Sequence, residues 1–223
     1  MIKVRKLIYF RFYQKKVIII KNIKYLLCLS TTFSLILFTN CDENTDSPLA
    51  DIAIGNIYQG GIIFYILEED DYGYKVGEVH GLIAAKEDQT TTAGAEWGTA
   101  GSAEWGCYET EISEAKGIVI GTGAQNTLDI LAGCSEEGIA AKLCADYKVT
   151  INGATYDDWF LPSKDELNLL YIQRDVVGGF SDFSYYSSTQ DNHISAWYHN
   201  FIDGIQGKVL KKIKRRVRAV RAF

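Results

Sequence analysis

The side chains able to do acid–base, nucleophilic or metal chemistry in this sequence are three histidines, five cysteines and 28 carboxylates. His80, His193 and His199 are scattered, with no His-x-x-x-His and no Cys-x-x-Cys spacing, so no metal site is predicted. No Gly-x-Ser-x-Gly turn presents a nucleophile; Ser187 and Ser188 sit in a Tyr-rich segment where hydroxyls are expected to bond backbone. Of the paired carboxylates, Asp165-Glu166 suits the start of a helix, where negative charge meets the positive end of the dipole. The run Glu68-Glu69-Asp70-Asp71 lacks the alternating spacing that wraps a calcium ion and reads as a solvated hairpin tip. Gly117 to Gly123 followed by Ala124 to Leu131 has the shape of strand, glycine turn and helix. It lacks both the third glycine of a dinucleotide site and the Gly-Lys-Ser/Thr of a P-loop. The expectation is a protein that is not an enzyme, with no cofactor and no metal.

What remains is the chemistry of recognition and charge. The formal net charge of −5 conceals a division. Residues 1–40 carry eight Lys/Arg and no acid, residues 41–207 carry −21, and residues 208–223 carry +8. The last segment holds Lys208, Lys211, Lys212, Lys214, Arg215, Arg216, Arg218 and Arg221. A basic strand of this kind binds a sulfated glycan or nucleic acid through charge, or else neutralises its own acidic body with Arg218 and Arg221 paired internally. An exported location excludes nucleic acid as partner. Trp197-Tyr-His-Asn200 offers an aromatic and amide surface for a sugar ring; the alternative places Trp197 in the core. The candidate ligand-binding residues are therefore Trp197, His199, Asn200, Lys211, Lys212, Arg215 and Arg216. Ala95-Glu-Trp-Gly98 recurs as Ala103-Glu-Trp-Gly106, which makes Trp97 and Trp105 either exposed stacking platforms or core residues.

The export signal comes from the first forty residues. Eight cations precede the apolar run Tyr25 to Phe38, the layout of a secretory leader and short for a membrane span. Leu37-Phe-Thr-Asn-Cys41 then resembles a bacterial lipoprotein processing site, with Cys41 as the lipid attachment point. A plain cleaved leader and an uncleaved anchor are the alternatives. Residues 41–54 form an acidic tether without apolar periodicity. Acid immediately after the lipidated Cys resembles the surface-export signal of Bacteroidetes-type lipoproteins, although in enterobacteria Asp there implies inner-membrane retention. The expected location is the outer membrane, exposed at the cell surface and held by the lipid anchor.

With 47% hydrophobic and 23% charged residues, the chain is neither disordered, collagen-like nor a coiled coil. Residues 55–223 are long enough for one α+β domain with its own core. Ile62 to Leu67 and Val79 to Ala85 read as paired strands around a polar turn. Residues 86–117 read as a long irregular stretch. Glu136 to Tyr147 reads as a helix capped by Ser135. Ser163 and Glu166 form a capping box that starts another helix, stopped at Gly178-Gly179. Phe183 to Thr189, Ser195 to Ile202, Gly204 to Ile213 and Val217 to Phe223 read as strands of an antiparallel sheet with two to three helices packed on it. Export to an oxidising compartment predicts one disulfide among Cys107, Cys134 and Cys144, with Cys107 joined to one of the other two.

Several blocks occur in an order that resembles a known family: Gln59 to Tyr65, His80 to Ala85, Trp105 to Cys107, Ile120 to Gly123, Asp158 to Leu167, Tyr186 to Thr189, Ala196-Trp197, Phe201, Gly204 and Val217 to Arg221. Over residues 55–223 they resemble the Legionella collagen-like adhesin C-terminal domain family. The resemblance implies a C-type-lectin-like or formylglycine-generating-enzyme-like fold and adhesion through glycan binding. The chain departs from its relatives in three respects: it has no Gly-x-y repeat, no Cys after Cys144, and neither Glu-Pro-Asn nor Gln-Pro-Asp for a sugar-binding calcium. The expectation is a lipid-anchored surface protein with a non-catalytic binding domain, its alternatives a structural or assembly subunit of the cell envelope and an enzyme of unrecognised type.

Overall fold

The computed structural model describes residues 52–89 and 102–223. The leader, Cys41, most of the tether and Trp97 lie outside the described residues. The domain is α+β, built mainly of antiparallel strands with four helices among the described residues, one more than the largest number expected.

The strands divide into two sheets and a hairpin instead of one sheet. Strands β1 (Ile57–Tyr58), β2 (Gly61–Ile66) and β3 (Gly81–Ala84) form an antiparallel meander. Tyr58 and Gly61 flank a two-residue turn in which Gln59 and Gly60 both take positive φ, 45° and 91°, matching the twist of the strands. Strand β4 (Ser102–Ala103) belongs to the second sheet. Strands β5 (Val149–Ile151) and β6 (Ala154–Tyr156) form a separate hairpin. Its turn is Asn152-Gly153, with φ of 50° and 82°. That dipeptide between β-branched residues is a strong hairpin signal, yet this hairpin is absent from the expected elements.

Strands β7 (Ser184–Gln190), β8 (Ser195–Asn200) and β9 (Gln206–Leu210) pair antiparallel in sequence, as short segments separated by turn residues predict. The final segment does not continue this sheet as one strand. Strand β10 (Arg215–Arg216) inserts between β4 and β7, parallel to β7, and β11 (Val220–Ala222) crosses to the first sheet beside β3. The orders are therefore β1-β2-β3-β11 and β4-β10-β7-β8-β9.

Helix α1 (Gly123–Gly133) begins at the predicted place, but residues 117–120 before it are not a strand. The side-chain amide of Asn126 takes both backbone groups of Gly117, accepting from its N–H at 3.0 Å and donating to its carbonyl at 2.7 Å. Those groups are then lost to any sheet ladder. Helix α2 (Ala140–Ala145) is half the predicted length and is not capped by Ser135. Gly138 sits at φ 69°, and the Glu136 carboxylate accepts the Cys107 N–H, so the chain is held out of helical geometry until Ile139. Cys107 is disulfide-bonded to Cys134, and Cys144 is a buried thiol in the core.

Helix α3 (Lys164–Ile172) starts at the predicted capping box: Ser163 Oγ accepts from Glu166 N, and Glu166 accepts from Ser163 N at 2.7 Å. The Glu166 carboxylate also accepts the Gly121 N–H at 2.7 Å. A Cβ on Gly123 would collide with it, so a glycine at the first position of α1 lets the two helix starts share one buried carboxylate. Helix α4 (Arg174–Val177) follows and ends at Gly178.

The core has two parts. One gathers Ile63, Trp105, Ile130, Trp159 and Tyr186; the other gathers Phe64, Leu167, Tyr185, Phe201 and Val220. Between β10 and β11 the fully buried Arg218 spans them. Its Nε donates to Asp88 Oδ1 at 2.9 Å, Nη1 to the Ala85 carbonyl at 3.0 Å, and Nη2 to the Gly179 carbonyl. The Asp88 carboxylate in turn accepts the Tyr185 hydroxyl at 3.0 Å. Arg218→Leu strands a buried carboxylate and should lower the unfolding free energy by about 3–5 kcal/mol in urea denaturation. Adding Asp88→Asn to that variant should recover part of the loss; if it recovers none, the cost does not come from the uncompensated charge.

Candidate functional site

Strand β8 carries the aromatic segment singled out in the sequence. Its alternation puts Trp197 and His199 on the face that meets α3 and Tyr198 on the other. Helix α3 lies over this face with its start near Trp197 and its end near His199. The two rings therefore meet different surroundings.

Trp197 is half-buried. Lys164 Nζ, from the first turn of α3, lies 4.5 Å from its ring centroid, and Lys208 Nζ, from the neighbouring strand β9, lies 5.0 Å away. Lys208 also pairs with Asp191 at 2.6 Å. Gln206 Nε2 donates to the Lys164 carbonyl at 3.1 Å and ties β9 to the helix start. The arrangement is a half-buried indole with two ammonium groups over its ring, aromatic surface and positive charge in one place.

His199 does not belong to that surface. It is fully buried, stacked on Tyr171 with centroids 4.5 Å apart and edge-on to Phe201. Neither ring nitrogen has a hydrogen-bond partner among the described residues; the Gly204 backbone is close enough to influence the ring without hydrogen-bond geometry. Asn200 is held in the β8–β9 turn, where its Oδ1 accepts the Ile202 N–H at 3.0 Å.

The basic residues also separate. Lys211 is a correction to the expected surface set: it is wholly buried, with Nζ donating to the Thr110 carbonyl at 2.7 Å and Gln190 Oε1 at 2.6 Å, 4.5 Å from the Trp105 ring. Burial pushes its pKa down to about 8. Lys212 is exposed, with Nζ 4.4 Å from the Tyr108 ring. Arg215 and Arg216 form β10, which β7 separates from β8, and they lie over Tyr198 and Phe183. Lys214 faces a groove of about 690 Å³ that Glu104, Glu136 and Glu137 also line. The predicted ligand set is thus not brought together on one face. Lys164 and Lys208 join Trp197 in its place. The register opposite Trp197 is the signal that points to Lys208, and no local pattern points to Lys164.

Trp105 is buried in the core and donates its Nε1–H to the Ser187 carbonyl at 3.0 Å, so it is not a stacking platform. Cys107, Cys134 and Glu136 bring their donor atoms within 4.8 Å of one another, but the two sulfurs are bonded to each other. No helix among the described residues is long and apolar enough to cross a membrane.

No protein-family model matches the chain, and no curated protein matches it.

The buried imidazole makes the fold acid-sensitive. Burial holds the His199 pKa down to about 4, opposed by the Gly204 backbone and Asp203 and assisted by Arg174. An unfolded histidine titrates near 6.5, so as pH falls the unfolded chain takes up the proton first. The stability is intact above pH ~6.5 and is lost as pH falls towards ~4, by on the order of 3 kcal/mol. Glu166, pushed up to about 7 by burial, acts in the opposite direction over its own window, because the folded state binds its proton first. The difference between the parent and His199→Phe isolates the histidine. Urea midpoints of the parent should fall relative to the variant between pH 6.5 and 4; parallel curves would contradict the assignment.

Proposed function

We propose that this protein is an exported, lipid-anchored surface protein whose domain binds extracellular glycan or a similar surface polymer without transforming it. The observation that carries the reading is Trp197, half-open on the sheet, with the Lys164 and Lys208 ammonium groups 4.5 and 5.0 Å from its ring. A pyranose ring has an apolar face that packs on indole, and a carboxylate or sulfate on the sugar meets the two ammonium groups. The ligand class is therefore an acidic glycan in preference to a neutral one, and nucleic acid is not the partner of an exported domain.

Two features support the export component. The disulfide between Cys107 and Cys134 belongs to an oxidising compartment. The cationic leader, apolar run and Cys41 form a lipoprotein-type signal, and the acid after Cys41 favours the outer membrane and the cell surface. Acyl chains on Cys41, each methylene contributing about 0.8 kcal/mol, would hold the chain on the membrane. A lectin-like or formylglycine-generating-enzyme-like arrangement is the finer fold reading. It draws support from the Leu161-Pro162-Ser163 helix start locked by Glu166 and from a terminal strand returning to the first sheet.

Titrating the full-length protein with heparin and polygalacturonate, and with a neutral glucan as control, tests the ligand. Trp197→Ala should weaken binding of the acidic chains by about tenfold or more, the scale of an interface hot spot. Lys164→Gln with Lys208→Gln should remove the preference for acidic over neutral chains together with its salt dependence. Absence of binding to every glycan, or an unaffected Trp197→Ala, would defeat the reading.

The anchor is tested separately. In Triton X-114 phase separation the parent should enter the detergent phase and Cys41→Ser the aqueous phase. Equal partition of the two would remove Cys41 as the lipid attachment point.

A further inference from the structure

We infer that Cys107, Cys134 and Glu136 are the ligands of a zinc-type divalent ion, which the protein takes up when its disulfide is reduced. The site lies beside the groove at β4, away from Trp197, and the inference does not rest on the glycan reading.

The three residues come from two segments of the chain. Cys107 and Cys134 are 27 positions apart, and Glu136 follows Cys134 by two. Their donor atoms, one from each residue, all lie within 4.8 Å of one another. Two thiolates, a carboxylate and one open position suit Zn²⁺, whereas magnesium and calcium prefer oxygen throughout. Two sulfurs on one tetrahedral zinc stand about 3.8 Å apart, given Zn–S bonds of about 2.3 Å. The Cα atoms, 5.7 Å apart, leave room for that separation by side-chain rotation alone. Cys144 is buried in the core and is not one of the group.

The backbone already holds the ligands in place. Cys107 N donates to Glu136 Oε2 at 2.9 Å, and the Cys107 carbonyl accepts from Thr110 N at 3.1 Å. A hydrogen bond of this kind orients a carboxylate while its other oxygen turns to an ion. Ala140 N donates to the Glu104 carbonyl at 2.9 Å and ties the segment after Glu136 to β4.

Glu136 also lines the groove of about 690 Å³, together with Glu104, Glu137 and Lys214. Three carboxylates against one ammonium attract a dication, and the groove gives it a path to the sulfurs.

The disulfide controls occupancy. A dithiol reductant passes two electrons and two protons to the Cys107–Cys134 bond and is itself oxidised to a disulfide. Each thiol then releases its proton as its sulfur binds the ion.

The test uses the full-length protein carrying Cys28→Ser, Cys41→Ser and Cys144→Ala, so that Cys107 and Cys134 are its two thiols. It is reduced with a dithiol, freed of reductant without air, and titrated with Cd²⁺, whose thiolate complexes absorb in the ultraviolet. The band should rise to one equivalent in the reduced protein and be absent from the disulfide form. Zn²⁺ should displace the Cd²⁺ and slow re-formation of the disulfide by glutathione disulfide by about tenfold or more. Glu136→Gln should weaken Cd²⁺ binding by about tenfold or more. If circular dichroism shows the reduced chain unfolded, Zn²⁺ should restore the folded spectrum. No band in the reduced protein, equal reoxidation with and without Zn²⁺, or a reduced chain that Zn²⁺ leaves unfolded would overturn the site. Equal affinity in Glu136→Gln would overturn the carboxylate as a ligand and with it the three-ligand assignment.

Discussion

The ion pair of Arg218 with Asp88 is the constraint around which the two sheets are arranged. A fully buried guanidinium has no water to satisfy its five N–H groups, so every acceptor must come from the chain. Here the acceptors are Asp88 and the Ala85 carbonyl beyond β3 and the Gly178 and Gly179 carbonyls beyond α4. Asp88 passes the connection to Tyr185 on β7. One side chain thus links the first sheet, the end of the helical segment and the second sheet. Burial pushes the Asp88 carboxyl upward even against the pull of Arg218, the expected balance where desolvation is large. The pair is therefore better understood as fixing geometry than as a large net gain in stability. It sits at the crossover between β10 and β11, where the chain leaves one sheet after Arg216 and joins the other at Val220 with Arg218 buried between them.

The same requirement explains what becomes of the basic segment. Eight cations in the last sixteen residues are visible in the sequence, but their partners are not. Arg218 meets an aspartate 130 residues away and Arg221 an aspartate 63 residues away. Lys211 meets carbonyl and amide oxygens instead of a carboxylate. Such contacts come from strand order, and strand order is set by long-range pairing that no local pattern encodes. Of the two roles expected for the segment, the internal one is visible: Arg218, Arg221 and Lys208 pair with Asp88, Asp158 and Asp191.

Local signals were legible where the local chain decides the outcome. The Ser163–Glu166 box depends on neighbours three residues apart, and the antiparallel trio β7, β8 and β9 follows from short strand-like segments separated by turn residues. The misreadings occur where a distant side chain competes for the backbone. Asn126 withdraws Gly117 from a sheet, and Glu136 bonds Cys107 where a helical first turn was expected. The Asn152-Gly153 hairpin is a different case, since its turn signal was local and legible.

The contrast between Trp197 and His199 shows how little of a binding face a strand pattern specifies. Both residues point to the same side of β8, two positions apart, and both are aromatic. Their fates are set by a helix whose axis crosses that face. The end of α3 brings Tyr171 onto His199 and seals it, while the start of α3 brings only the flexible Lys164 side chain over Trp197. The start is anchored by the capping box and by Glu166 accepting the Gly121 N–H, which fixes where Lys164 leaves the helix. Lys208 completes the charge around that ring because the β8–β9 register sets it opposite Trp197.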